Sequence, residues 1–355
     1  MTYLDYQATT PLAPEAFEAM VPWLRDGFAN PHSPHRAGRA AKAAVEVARD
    51  EIGALLPADG RVVFTSGATE ALNWALKGTD GPIVTIATEH AAVLDSVAAV
   101  ARRGATILPV DGVGLVDPSA VPPGGGLVAA MLVNNEIGTI QPIAALADAA
   151  HAGGALMLCD AVQGYGRVPI PDTVDLVALS AHKIHGPKGI GALWIRDGVT
   201  LSPLLHGGDQ EGGRSGTLSP ALCAGFGAAA RLMRERASED DAHVCALFGL
   251  ARERLRGWQV NGSLAHRYHG NLNVRRDGLD VNRLMSDCRD IAFSAGSACA
   301  SGSGRPSHVL RAIGLTDGEA RSSIRIGFGR YTKEAELAEA LDRIVAAADA
   351  QRVTA

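Results

Sequence analysis

The sequence predicts an α/β protein built on a mostly parallel, seven-stranded sheet, followed by a smaller α+β domain. Three observations lead there. Short runs rich in Val, Ile and Leu alternate with Ala-rich stretches over the first two-thirds of the chain. These runs are continuously apolar, the pattern of strands covered by helices on both faces. At 355 residues the chain also exceeds one ordinary core, so about two domains are expected.

In order, strands are expected at 62–65, 83–87, 105–110, 127–133, 156–160, 176–180 and 191–195. Helices at 36–56, 68–77, 91–103 and 143–152 fill the gaps, as crossovers between parallel strands require. Pro122-Pro123-Gly124-Gly125-Gly126 reads as a turn before a strand, not a linker. Beyond about residue 220 a long polar helix, roughly 221–257, carries Arg234, Glu235, Arg236, Glu239, Asp240 and Asp241. It bridges into short strands and a final Ala-rich helix. The domains are drawn as 15–241 for the large one and 1–14 plus 242–355 for the small one.

Net charge is −5 with no basic run, so neither nucleic acid nor an anionic membrane surface is an expected partner. Met1-Thr2-Tyr3-Leu4-Asp5 lacks the basic start and apolar run of a secretory signal, and no apolar stretch is long enough to span a bilayer. The five cysteines are odd in number, scattered and without metal-ligand spacing. A reducing, cytoplasmic compartment and no metal site are expected.

Ligands of open α/β sheets bind at the carboxyl ends of strands, and polar residues fall there repeatedly. Thr65-Ser66-Gly67-Ala68-Thr69 opens a helix, where small residues and free amides suit a phosphate, although Ser and Thr at helix starts are more often caps. Asp160 closes an apolar run, needing either a helix to cap or a cationic ligand nitrogen to meet; Gln163 follows it. Ser180-Ala181-His182-Lys183 would place an amine at the buried mouth of the sheet, where desolvation frees it for a Schiff base. Lys188, after Pro187, reads as a surface residue. His90 is either a cap or a ring stacked on a cofactor, and Asn135 either a turn residue or a ligand to a carboxylate. Arg325, in a short apolar strand, either grips a carboxylate or forms a structural ion pair. Cys159, Cys223, Cys245 and Cys288 fit buried small hydrophobes. Cys299, in Ser294-Ala295-Gly296-Ser297-Ala298-Cys299-Ala300-Ser301-Gly302-Ser303-Gly304, reads instead as an exposed nucleophile.

These pieces, in this order and over nearly the whole chain, resemble the cysteine desulfurase family. That family belongs to the fold-type I pyridoxal 5'-phosphate (PLP) transferases related to class-V aminotransferases. The resemblance rests on Tyr3-Leu4-Asp5-Tyr6 with Ala8-Thr9-Thr10-Pro11, Asn30-Pro31, Thr88-Glu89-His90, Asp160-Ala161 with Gln163, and His182-Lys183. Arg214–Leu218 by position, Gly296 to Cys299, and Ser322-Ser323-Ile324-Arg325 extend it. The resemblance implies that Lys183 forms the Schiff base with PLP, Asp160 pairs with its ring nitrogen, Gln163 bonds its phenolic oxygen and His90 stacks and moves protons. Ala68, Thr69, Ser180 and His182 would hold the phosphate, with Thr217 reaching in from the partner of a homodimer. Asn135 would contact cofactor and substrate, and Arg325 and Asn30 would bind L-cysteine. Cys299 would take the sulfur as a persulfide, leaving L-alanine, and pass it to an acceptor protein such as an iron–sulfur scaffold.

The Cys299 setting is similar to the branch with the longer, mobile cysteine loop, found in nitrogenase-maturation and housekeeping iron–sulfur enzymes. Segment 206–214 is one residue shorter than usual and lacks an arginine after Glu211, and Ala181 stands where Gly is common. The chain ends at Ala355, soon after its final helix, so docking on a scaffold is not carried over. The rivals are a selenocysteine lyase, a class-V aminotransferase and, from another class, a non-catalytic sulfur-relay subunit. Cys299 speaks against the aminotransferase; Lys183 and Cys299 together speak against the relay subunit.

Overall fold

The computed structural model describes residues 1–208, 210–296 and 306–353. The chain opens with β1 (Thr2–Tyr3), α1 (Pro14–Arg25) and α2 (Arg36–Gly53). There follow β2 (Gly60–Thr65), α3 (Ala68–Gly78), β3 (Ile83–Ile86), α4 (Ala91–Ala99), β4 (Ala105–Leu108) and β5 (Gly126–Met131). Then come α5 (Ile143–Ala152), β6 (Ala155–Asp160), β7 (Leu176–Ser180) and β8 (Gly191–Arg196).

Strands β2 to β8 make one sheet in the order β2-β8-β7-β6-β5-β3-β4. All pairs are parallel except those of β8, which runs against both neighbours. Every expected strand is present, with ends shifted by two residues at most. The continuous apolar runs have their reason in β7: Val177 and Leu179 enter a core shared with α5, whereas Leu176 and Ala178 enter another shared with α3 and α4. Successive side chains point to opposite faces, so burial of both faces demands an unbroken apolar run.

The expected helix over 221–257 is two helices, α6 (Pro220–Glu235) and α7 (Ala237–Arg254), broken at Arg236 with φ −108° and ψ 10°. Nor is α6 a solvated bridge. It buries Ala221, Cys223, Phe226 and Gly227, and at Gly227 a Cβ would lie 2.7 Å from the Ala48 Cα of α2. The polar residues cluster at the break itself, where Arg330 pairs with Asp240, and their charge masks the small-residue face that precedes them.

A second core gathers Leu4, Val244, Leu247, Leu272, Ile324, Ile326, Phe328, Leu341 and Ile344. It underlies α7, β9 (Gln259–Val260), β10 (Asn271–Arg275) and α8 (Val281–Asp287). Beyond lie β11 (Ile291–Ala292), α9 (His308–Ala312), α10 (Asp317–Arg321), β12 (Ser323–Gly327) and α11 (Glu334–Val353). β12, β10 and β9 form an antiparallel sheet, and β1 pairs with β11. Cys159, Cys223 and Cys288 are buried as expected; Cys245 is only half-buried, its sulfur 3.2 Å from Nδ1 of His269.

Candidate active site

The carboxyl ends of β2, β3, β5, β6 and β7 open onto a cavity of about 750 Å³. Lys183 lies on the turn after β7 and lines it. Its Nζ donates to the backbone carbonyls of Gln7 and, at 2.9 Å, Ala8, both on the segment after β1. Burial, reinforced by the Arg325 guanidinium, pushes the amine down to about 8, while Asp160 and Asp5 oppose the shift.

Asp160 ends β6 and accepts one hydrogen bond, 3.0 Å, from the Val162 amide. Burial raises its pKa against that bond and against His90 and Lys183. A cation delivered to this carboxylate would hold it ionised. Beside it Glu89 is fully buried and pushed well up by burial and by Asp160; its Oε1 accepts from the Met131 amide at 2.6 Å. Gln163 donates to the Gln7 carbonyl at 2.9 Å, and its Oε1 has no partner.

His90 is the cap of α4 and also faces the cavity. Its Nδ1 accepts the Ala92 amide at 3.1 Å, capping α4, and its ring lines the cavity. With the Nδ1 lone pair engaged, the neutral ring carries its proton on Nε2, and burial lowers its pKa. The cap reading of Ser66 and Thr69 does not hold. The N-cap of α3 is Gly67, with no side-chain cap, because Thr65 Oγ1 bonds the Gly67 carbonyl instead, at 3.0 Å. Gly67, Ala68 and Thr69 therefore present a helix start to the cavity with Ser180 and His182. A Cβ on Gly191 would sit 2.7 Å from the Gly67 Cα, so only glycine lets β8 pass this turn. Burial pushes His182 down to about 4, leaving it a neutral hydrogen-bonding group whose Nδ1 lies 3.1 Å from Thr9 Oγ1.

Arg325 forms the structural ion pair and also reaches the cavity. It lines the cavity, pairs with Asp5 at 2.7 Å, and donates to the backbone carbonyl of Asn135 at 3.0 Å, yet its buried Nε has no partner. Lys188, expected at the surface, is exposed and also lines the cavity. Asn30 and Thr217 are not brought to the cavity within one chain: both are exposed, and Asn30 Oδ1 accepts the His32 amide at 2.9 Å. Cys299 lies outside the described residues. Sequence reasoning passed over three groups. Glu89 hid beside His90. Arg167 donates to the carbonyls of Gln163 (3.1 Å) and Lys183, and His308 lines the cavity from α9. Their signal is positional, and no motif spacing reveals it.

The donor set fits PLP: an amine of lowered pKa for the aldehyde, a carboxylate awaiting a cation for the ring nitrogen, and an uncapped helix start for the phosphate. On a sheet of this order, that fit defines a PLP-dependent enzyme. The aminotransferase class-V family model matches residues 2–340. Cysteine desulfurase IscS of Rickettsia rickettsii (strain Iowa) is 40% identical over 375 residues, covering 99% of this chain and 92% of the relative. The mitochondrial cysteine desulfurase of Saccharomyces cerevisiae is 43% identical, covering 94% and 72%. The chain belongs to the class-V aminotransferase family and, within it, to the cysteine desulfurases. Among solved structures, a NifS-like protein superposes with TM-score 0.88 at 32% identity, covering 97% of this chain and 98% of that one. A second, described as SspA in complex with cysteine, gives TM-score 0.82 at 34% identity, covering 94% and 100%.

Proposed function

We propose that this chain is a PLP-dependent cysteine desulfurase that converts L-cysteine to L-alanine, holds the sulfur as a persulfide on Cys299 and hands it to an acceptor protein. One observation carries it: Lys183, Asp160, His90 and the open start of α3 face a single cavity that Arg325 closes from the second core. When bound, PLP supplies an electron sink that stabilises negative charge at the substrate Cα. Lys183 would hold the cofactor and, freed by substrate, take the Cα proton at Nζ. Asp160 would keep the ring nitrogen protonated, and Ala68, Thr69, Ser180 and His182 would hold the phosphate. Gln163 would bond the phenolic oxygen. Arg325, with Asn135, would bind the substrate carboxylate through guanidinium hydrogens that Asp5 and the Asn135 carbonyl leave free.

The Cys299 thiolate attacks the substrate sulfur. An S–S bond forms, the Cβ–S bond breaks, and its electron pair passes to Cβ, which is then protonated. The substrate sulfur keeps its own proton in the persulfide.

The exposure of Thr217, which is not among the residues lining its own cavity, supports a homodimer in which it and Asn30 complete the partner's site. The two cores support domains of 15–241 and 1–14 plus 242–355. Among the described residues no helix is long and apolar enough to cross a membrane, and the reading places the enzyme in the cytoplasm.

The experiment is a parallel assay of wild type, Cys299→Ala and Lys183→Ala with L-cysteine and an added thiol reductant, quantifying alanine and the sulfide that the reductant frees from the persulfide. Wild type yields both and neither variant does. Full alanine release by Cys299→Ala would end the persulfide route, and a wild type that never binds PLP would end the whole reading.

A further inference from the structure

One side chain behind the cavity joins the two turns that would carry the cofactor's reacting side. Gln163 stands on the turn after β6 and Lys183 on the turn after β7, and both line the cavity. Arg167 closes the first of these turns, its amide bonding the Gly164 carbonyl at 2.8 Å. Its guanidinium reaches back to both: Nη1 donates to the Gln163 carbonyl at 3.1 Å and Nη2 to the Lys183 carbonyl. A guanidinium presents its donors in a rigid planar fork, so two acceptors bonded by one fork are held at a fixed separation.

The fork is itself held. The guanidinium carbon lies 5.3 Å from the centroid of the Tyr268 ring, and Tyr268 packs against both hydrophobic cores. Attraction between the cation and the ring face keeps the guanidinium from swinging away. Arg167 lines a pocket of about 70 Å³ with Tyr268, His185 and Arg330, and is not among the residues lining the large cavity. On the cavity side, Gln163 Nε2 and Lys183 Nζ both donate to the Gln7 carbonyl. Lys183 gives up that bond when its amine takes the cofactor. The Arg167 bonds go to main-chain carbonyls and survive the change.

We propose that Arg167 is a positioning residue: it sets the separation of Lys183 and Gln163, and with it the register of the cofactor ring against the amine that removes the substrate Cα proton. This rests on the desulfurase reading above. Arg167 touches neither cofactor nor substrate and works through the two carbonyls it bonds. A placement error of about an ångström slows the transfer at Nζ. It leaves the carboxylate grip of Arg325, on a strand of the second core, as it was.

The test uses the PLP-loaded protein with L-cysteine and a thiol reductant, each enzyme at its own optimum pH. Arg167→Met keeps a long side chain against Tyr268 and loses donors and charge. Arg167→Lys keeps a cation whose three N–H groups can serve both carbonyls. In Arg167→Met the expected kcat for alanine falls about 10- to 100-fold while the cysteine KM stays within about three-fold. Arg167→Lys should recover kcat to within about five-fold of wild type. Cysteine deuterated at Cα supplies a readout that a purely structural role would not move. Its isotope effect on alanine release should be larger in Arg167→Met than in wild type, because proton removal becomes the slow step.

A kcat for Arg167→Met within about two-fold of wild type overturns the proposal, as does an unchanged isotope effect. Arg167→Lys as slow as Arg167→Met also does so, since the carbonyl bonds are then not what matters. Should Arg167→Met fail to fold, Tyr268→Leu takes its place, because it frees the fork while leaving both carbonyls in reach. A raised isotope effect there supports the proposal and a wild-type one overturns it. If wild type itself makes no alanine, the desulfurase reading falls, whereas a fast Arg167→Met enzyme leaves that reading standing.

Discussion

In the proposed role Lys183 would bind cofactor only as a neutral amine, and its surroundings determine the pH at which it becomes one. Burial and Arg325 bring it from 10.5 to about 8. At pH 8 about half of it is neutral, against roughly one part in 300 for an ordinary lysine, a difference on the order of 3 kcal/mol. The Gln7 and Ala8 carbonyls favour the ammonium form, so the shift measures how far desolvation outweighs them. Apoprotein mixed with PLP across pH 6 to 10 should show a rate of visible-absorbance growth that climbs with the neutral fraction and has its midpoint near pH 8. The signs for neighbours follow from charge. Arg325→Gln removes a cation and unpairs Asp5, so the midpoint rises; Asp5→Asn removes an anion, so it falls. A wild-type midpoint above about 10, the ordinary lysine range, would refute the desolvation argument. Equal shifts of one sign in the two variants would refute the assignment of Arg325 and Asp5.

Two further outcomes concern stability. Gly227→Ala forces a methyl against the Ala48 backbone and should lower stability by about 1–3 kcal/mol, whereas Gly249→Ala in α7, with open space around it, should gain about 1 kcal/mol; thermal unfolding of both checks the α6–α2 contact, and a neutral Gly227→Ala would contradict it. Glu211, in the shortened 206–214 segment, forms a bidentate pair with Arg49 and accepts the Phe64 amide at 2.8 Å. Glu211→Ala should therefore lower the thermal midpoint by the equivalent of about 3 kcal/mol, and an unchanged midpoint would show that the segment does not anchor β2.

Alternation between apolar and Ala-rich stretches was enough to locate the seven strands, because burial of both sheet faces leaves a local signature at each strand. Polar residues at strand ends likewise marked Lys183, Asp160 and His90, since ligands of such sheets collect there. The 221–257 region misled because the polar residues near Arg236 are local, whereas the face that buries Phe226 and Gly227 is defined by α1 and α2, nearly two hundred residues earlier.

The sequence by itself determined the layered α/β class and, through the family it resembles, pointed to Lys183, Asp160 and Cys299 as candidate site residues. Only the tertiary structure decided between paired alternatives. It made His90 both cap and cavity wall, left α3 uncapped, gave Arg325 an ion pair with Asp5 320 residues away, and oriented His308 through the Glu89 carbonyl. The physical reason is that residue type and period are written locally, whereas a lone pair or a pKa depends on which distant backbone groups folding brings within hydrogen-bond reach.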